Sequence, residues 1–139
     1  MAAGGIFDSN IQVLEKVLSL RSQKHGVVSS NIANSETPGY ERMKMDFEQD
    51  LARAADRSDG IRPAATHPGH IGYSGQKAIS ELEADVYREP AENPVGDKNN
   101  VSLDREMVDL SENRIKYEAA IRMLSKKFNM LKSVIRERA

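Results

Sequence analysis

The 139-residue sequence has few of the residues that build compact cores and reactive sites. It has no Cys and no Trp, and aromatic residues make up only 5% of it. The absence of Cys excludes disulfides, thiolate metal sites and Cys nucleophiles, and it leaves the redox compartment open. An apolar content of 39% is low for one compact core but normal for long helices that share apolar faces with partners. The length favours a single domain.

An excess of either charge is also missing. There are 20 Lys and Arg residues against 21 Asp and Glu, which gives a net charge of −1 and no general attraction to nucleic acid or an anionic membrane. No stretch approaches the roughly 20 apolar residues of a membrane span. The first residues lack the basic and continuous apolar regions of a secretory signal. We therefore expect a soluble chain that, if it leaves the cytoplasm, does so without signal-peptide cleavage.

Two segments carry a helical pattern. From residue 7 to residue 34, steps of four and three alternate, which is typical of a helix that packs lengthwise on another helix. The same alternation runs from residue 103 to residue 135, and a helix from Leu103 to Arg138 would be about 54 Å long. Arg21 and Arg114 interrupt the two patterns, either as solvent-facing stems or as residues that set the pairing register. The candidate interface residues are Ile11, Leu14, Leu18, Val28, Ile32, Leu110, Tyr117, Ile121, Leu124, Phe128, Leu131 and Ile135.

The middle of the chain has a different composition. Residues 41–100 contain four of the five Pro residues and most of the turn-forming dipeptides. A short helix is predicted across about residues 46–55, and the alternating run at 78–89 predicts a strand. We divide the chain into an N-terminal helix and turn (1–40), a flexible connector with short strands or a helix (41–100), and a C-terminal helix (101–139).

The stretch "SSNIANSETPGY" (29–40) ends the first helix abruptly. Pro38 and Gly39 form the central pair of a type II turn, since Pro fixes φ near −65° and Gly accepts positive φ. Asn31 and Asn34 can bond free backbone groups at the end of the helix. Tyr40 can clamp the turn onto the helix.

This stretch resembles the N-terminal signature of the bacterial flagellar axial proteins, which are the rod, hook and hook-associated subunits. The positions that carry the resemblance are Asn31, Ala33, Asn34, Thr37, Pro38, Gly39 and Tyr40. The C-terminal segment is similar to that of the proximal rod proteins at Asn100, Val101, Glu106, Asn113 and Tyr117. "ATHPGHI" (65–71) also resembles those proteins.

The resemblance implies a mainly α fold in which the long N- and C-terminal helices pair as a coiled coil, with an irregular, partly β middle segment. It implies self-association into the hollow axial shaft of the flagellum. The implied partners are other rod subunits, the adapter protein and membrane ring of the basal body, and the flagellar type III export apparatus. The implied location is the rod on the periplasmic side of the inner membrane, reached without signal cleavage.

Other functions have weaker support in the sequence. His67 and His70 flank a Pro-Gly pair, and two candidate ligands in a loop make a poor metal site. No catalytic triad, phosphate loop or cofactor fingerprint is present, so we expect no enzyme activity, cofactor, small-molecule substrate or nucleic-acid partner. The alternatives are another flagellar axial subunit, which would usually carry a longer middle segment, and a free helical adaptor or chaperone, which would not need the turn.

Overall fold

The structure, a computed structural model, describes residues 9–56, 82–90 and 99–137. Within these ranges the elements are α1 (Ser9–Ala33), β1 (Met43–Asp46), α2 (Glu48–Asp56), β2 (Asp85–Arg88) and α3 (Leu103–Glu137). This confirms the predicted mainly α fold with two long terminal helices and a partly β middle. The expectations for His67, His70 and "ATHPGHI" lie outside the described residues.

α3 begins where the sequence predicts. The Glu106 amide donates to the Ser102 carbonyl at 3.0 Å, which places Ser102 at the N-cap position. Asp104 and Glu106 lie in the first turn and Arg136 in the last, where their charges complement the helix dipole. Ion pairs four residues apart also form along the helix, between Glu112 and Lys116 and between Glu118 and Arg122.

The two long helices pair antiparallel within one chain. Asn31, near the end of α1, contacts Glu106 in the first turn of α3. Arg21, ten residues earlier in α1, contacts Asn113, seven residues later in α3. We call this line of contact between α1 and α3 the seam. The lengthwise packing that the spacing predicts is therefore satisfied inside the subunit.

A small β unit, which lies between the two long helices in sequence, packs against α1. β1 and β2 pair antiparallel, from Met43 opposite Arg88 to Asp46 opposite Asp85. Leu20, Met45 and Phe47 form a buried apolar cluster that joins α1, β1 and the start of α2. α2 matches the predicted short helix, and β2 lies within the predicted strand. The sequence pattern did not locate β1: its residues alternate between apolar and charged, but the strand is only four residues long, too short for the alternation to stand out.

Polar and small residues of α3, rather than its largest apolar ones, face α1. Glu106, Asn113 and Ala120, spaced by seven, are buried at the seam. The interrupted apolar pattern runs one position later, through Met107, Arg114 and Ile121, and these side chains are exposed in the single chain. Apolar periodicity alone could not locate the seam because the residues with partners on α1 are an acid and an amide. Leu110, Tyr117, Leu124 and Leu131 are half-buried beside it.

Candidate assembly site

The signature turn has the predicted conformation. The Tyr40 amide donates to the Thr37 carbonyl at 3.2 Å, and Gly39 has φ +73°. This is a type II turn with Pro38 and Gly39 at its centre. Thr37, Pro38 and Gly39 are exposed, so the tip of the turn faces outward from the subunit.

The turn is attached to the end of α1 by side chains of the signature. The Tyr40 hydroxyl lies 3.4 Å from the Ser30 hydroxyl and donates to Asn31 Oδ1 at 3.2 Å. The Asn34 side chain donates through Nδ2 to the Ser30 carbonyl at 2.8 Å, and the Thr37 hydroxyl donates to Asn34 Oδ1 at 3.2 Å. The predicted clamp by Tyr40 and the predicted backbone contact of Asn34 are both present.

Asn31 does something different from what was expected of it. Its side chain does not bond the free end of α1; it bonds the outer edge of β1 instead. Asn31 Oδ1 accepts the Met43 amide at 2.9 Å, and Asn31 Nδ2 donates to the Met43 carbonyl at 2.7 Å and to Glu106 Oε2 at 3.0 Å. The residue is 1% exposed, and its amide makes all the hydrogen bonds it can. Asn31 therefore joins α1, β1 and α3 at one point.

Arg42 and Glu106 form the ionic part of this junction. The Arg42 guanidinium donates through Nε to Glu106, which is 0% exposed. Its other nitrogens donate to Glu89 at 3.0 Å and to Asp109 at 2.8 Å. Burial by itself lowers the pKa of Arg42, but the bonds to Glu106 and Glu89 outweigh it and raise the pKa above its usual value. Arg42 thus stays charged and ties β1 to β2 and to α3.

A second polar contact lies two to three helical turns along the seam. Asn113 Nδ2 donates to the Arg21 carbonyl at 2.9 Å, and Arg21 donates to Glu48 at 2.9 Å. The Arg21 guanidinium carbon lies 4.8 Å from the centroid of the Phe47 ring, a cation–π arrangement. Arg21 is 7% exposed, so its interpretation as a solvent-facing stem was wrong; Arg114, in contrast, does face solvent.

Sequence reasoning identified Glu106 and Asn113 only as positions of a family resemblance, assigned Asn31 a different contact, and missed Arg42. The signal available for Arg42 was its place two residues after the signature turn, where a large cation begins a segment that must cross the helix ends. The partners of Arg42 are 47 to 67 residues away in sequence, and no local pattern identifies them.

The predicted interface residues fall into three groups in the single chain. Ile11 and Val28 are buried; Leu14, Leu18, Ile32, Leu110, Tyr117, Leu124 and Leu131 are half-buried; Ile121, Phe128 and Ile135 are exposed. The last group belongs to a larger exposed set on α3, which also includes Leu103, Met107, Val108, Ile115, Met123, Met130 and Val134. The exposed set is the apolar surface that the fold leaves for other contacts.

Metal and membrane chemistry find no support in the part of the chain that the structure describes. Across residues 9–56, 82–90 and 99–137, His, Asp and Glu side chains nowhere gather in a group of three suited to hold an ion. No helix in those ranges is long and apolar enough to cross a membrane.

Comparison with known proteins agrees with the geometry. The family described as "Flagella basal body rod protein" matches residues 11–40, which include the whole signature turn. The "Flagellar basal body rod protein FlgB" of Bacillus subtilis (strain 168) is 33% identical over 130 residues, covering 94% of this chain and 95% of that protein. The FlgB of Cereibacter sphaeroides is 30% identical over 94% of this chain and 96% of its own length.

A more distant relative aligns over nearly the same extent. The FlgB of Salmonella typhimurium is 27% identical, and the alignment covers 92% of this chain and 94% of the relative. The alignments span both long helices and the β unit between them, and their identity and coverage exceed what a shared motif alone would give. The chain therefore belongs to the FlgB family of flagellar basal body rod proteins.

Proposed function

We infer that this protein is a structural subunit of the proximal rod of the bacterial flagellar basal body. The observation that carries the inference is the exposed apolar surface of α3 on a chain whose relatives are rod proteins. Large apolar side chains that stay exposed along the whole length of a helix are typical of a surface that binds other proteins. A subunit of a polymer does so until its neighbours bind.

The exposed set runs along all of α3, and six of its ten members lie from residue 121 onward. Phe128 is 47% exposed, Met130 54% and Ile135 64%, although each is a large apolar side chain. α1 covers only one side of α3, because the seam occupies a narrow strip of that helix. The remaining sides are available to further helices, which favours a bundle larger than the two helices of one chain.

The proposal extends to assembly and partners. Subunits would polymerise through their terminal helices into the hollow axial shaft, with other rod subunits, the adapter protein and the membrane ring of the basal body as neighbours. The flagellar type III export apparatus would deliver the chain to the periplasmic side of the inner membrane without signal cleavage. The role is structural and needs no catalysis, which fits relatives that are themselves named as rod proteins.

Localisation in purified basal bodies tests the function directly. A tagged copy that restores motility to a strain lacking the protein should be found in the rod, at its end nearest the inner membrane. A tagged copy found only in the soluble cell fraction would instead indicate the adaptor or chaperone. A position farther along the shaft would indicate another axial subunit.

A pair of variants tests the surface that carries the inference. Ile135→Asp places a charge in the exposed apolar set and should leave the subunit folded but block its incorporation. Ser111→Asp adds the same charge at an exposed position of α3 outside that set, and it should assemble normally. Equal incorporation of both variants would contradict assembly through this surface.

A further inference from the structure

The two ends of the middle segment meet at one side chain. Asn99 lies just before α3, yet its Nδ2, which carries two hydrogens, lies within hydrogen-bond distance of three backbone carbonyls just after α1 and in the signature turn. The distances are 3.0 Å to the carbonyl of Asn34, 2.8 Å to that of Ser35 and 2.9 Å to that of Thr37. The donor and these acceptors are 62 to 65 residues apart in sequence.

Two of these carbonyls also accept a backbone amide: that of Asn34 from Thr37 at 3.0 Å and that of Thr37 from Tyr40 at 3.2 Å. Carbonyl groups at a helix end are often completed by a nearby side chain or water. Here the partner comes from the far end of the middle segment. The same side chain accepts the Val101 amide through Oδ1 at 2.9 Å, in the residues that lead into α3. The Asn99 side chain therefore bonds both the turn that follows α1 and the residues that lead into α3.

Asn100 repeats the arrangement one residue later. Its Oδ1 accepts the Arg42 amide at 2.7 Å, and its Nδ2 donates to the Glu89 carbonyl at 2.6 Å. The Glu89 amide donates to the Arg42 carbonyl at 2.8 Å, so the open end of the β1–β2 pair is closed by Asn100. We call the side chains of Asn99 and Asn100 the asparagine clasp.

We propose that the asparagine clasp is a positioning device that holds the start of α3 on the signature turn, with Asn99 as the residue that sets this junction. The clasp acts on top of the seam: α1 and α3 pair through Arg21, Asn31, Glu106 and Asn113, and Asn99 fixes how the turn sits against the entry to α3. The outward tip of the turn then has one orientation relative to α3. This deepens the proposed function and rests on it, because the orientation matters when neighbouring subunits contact both surfaces.

Loop-closure entropy explains why such a clasp is useful. The entropic cost of closing a segment between two fixed points grows only slowly with the length of the segment. The bonds of Asn99 and Asn100 tie the ends at the base of the segment. The turn and the entry to α3 can then stay fixed to each other at little extra cost, whatever the length of the segment between them.

Asn99→Asp tests the proposal in the full-length chain. The carboxylate can still accept the Val101 amide, but it has no donor for the three carbonyls and repels them. Amide hydrogen exchange in the isolated subunit should become about tenfold faster at Thr37 and Tyr40, the scale of one lost hydrogen bond. Exchange in the middle of α1 and α3, around residues 17–21 and 113–120, should stay within about twofold of the wild type.

Asn129→Asp is the matched control for charge, since Asn129 is an exposed asparagine on the same chain. It should leave exchange at Thr37 and Tyr40 unchanged. Asn99→Ala, which removes the donor without adding charge, should reproduce the local loosening. Helical circular dichroism should remain that of the wild type in all three variants.

Three outcomes would overturn the proposal. Unchanged exchange at the turn in Asn99→Asp and Asn99→Ala would show that Asn99 is not a clasp. Loss of helical signal in Asn99→Ala would make the residue part of the α1–α3 pairing itself. Local loosening together with normal rod yield would remove the positioning role and leave the rod function, which the localisation experiment tests separately.

Discussion

Substitutions at two glycines should change the stability of the subunit in opposite directions. Gly39 has φ +73°, Gly26 lies in the helical interior of α1, and at neither would an added Cβ meet an atom within 4 Å. Gly39→Val should therefore destabilise the subunit by about 1–3 kcal/mol through backbone strain alone. Gly26→Ala should stabilise it by about 0.5–1 kcal/mol, because it restricts the unfolded chain without a clash. Urea unfolding of both variants measures the difference.

Gly39→Val should also impair motility while the helical content of residues 9–33 is retained, because the redirected turn clashes in every repeat of a helical assembly. Equal urea midpoints for the two glycine variants would mean that the backbone at residue 39 tolerates a side chain. In that case the turn would be only a helix stop.

Glu106 provides the second prediction at this scale. Its carboxylate is 0% exposed and accepts from both Asn31 and Arg42. Glu106→Ala leaves those donors without their acceptor, and we expect a loss of about 3 kcal/mol in the free energy of unfolding. Glu112→Ala on the same helix removes an exposed, solvent-screened pair and should cost far less. A Glu106→Ala subunit as stable as Glu112→Ala would show that the junction contributes nothing to folding.

Residue roles were predicted where they depend on local conformation. Gly39, Pro38 and Tyr40 behave as the turn chemistry indicates, because a type II turn is decided by four consecutive residues. Asn31 and Arg21 were not understood, because their partners come from β1, α2 and α3. Their functions depend on long-range contacts that an isolated spacing pattern does not contain.

At the scale of elements, α3 separates folding from assembly. Phe47 is 2% exposed in the cluster under α2, and Phe128 is 47% exposed on α3. Phe47→Ala should cost about 3–5 kcal/mol in the isolated subunit, whereas Phe128→Ala should cost less than about 2 kcal/mol there. The proposal that neighbouring subunits bury the Phe128 ring in the rod predicts that Phe128→Ala lowers incorporation instead.

Urea unfolding of the two alanine variants, together with rod yield, checks this division. An isolated subunit that loses as much stability from Phe128→Ala as from Phe47→Ala would mean that the ring is already covered within the chain. Leu124→Asp, at a half-buried position, should lower both the stability of the isolated subunit and its incorporation into the rod. Normal rods built from this variant would contradict the role of α3 in assembly.

The existence and extent of the elements were the most predictable part of the fold. Alternating steps of four and three located α1 and α3 to within a few residues, because helical periodicity is local. The orientation of the helices about their own axes was not predictable. The seam of α3 contains Glu106 and Asn113. A pattern that scores only apolar residues places the seam one residue too late, at positions 107 and 114.

For the whole molecule, acidity is a further test of the ionic contacts. Burial alone raises the pKa of Glu48, but hydrogen bonds from Arg21 and Lys24 outweigh it and lower the pKa below its ordinary value. A carboxylate with a depressed folded-state pKa stabilises the protein above its unfolded pKa, and that contribution is lost as the pH falls through the folded value. Urea midpoints should therefore fall as the pH drops below the ordinary pKa of a glutamate, about 4.3.

Glu48→Gln should show a smaller fall over the same pH range, because a neutral amide loses no charge on acidification. Glu15→Gln, at an exposed position of α1, should follow the wild type. An identical pH profile for Glu48→Gln and the wild type would show that the contact among Arg21, Lys24 and Glu48 does not contribute to stability.

The chain places polar contacts at its internal seam and large apolar side chains on its outside, and this arrangement has a consequence for cold. Attraction between apolar surfaces weakens on cooling, because its driving force near room temperature is entropic. Hydrogen bonds and ion pairs within the subunit do not share that dependence. Assembled subunits should therefore dissociate into folded single chains when they are chilled. Gentle warming should let the chains reassemble without any refolding step.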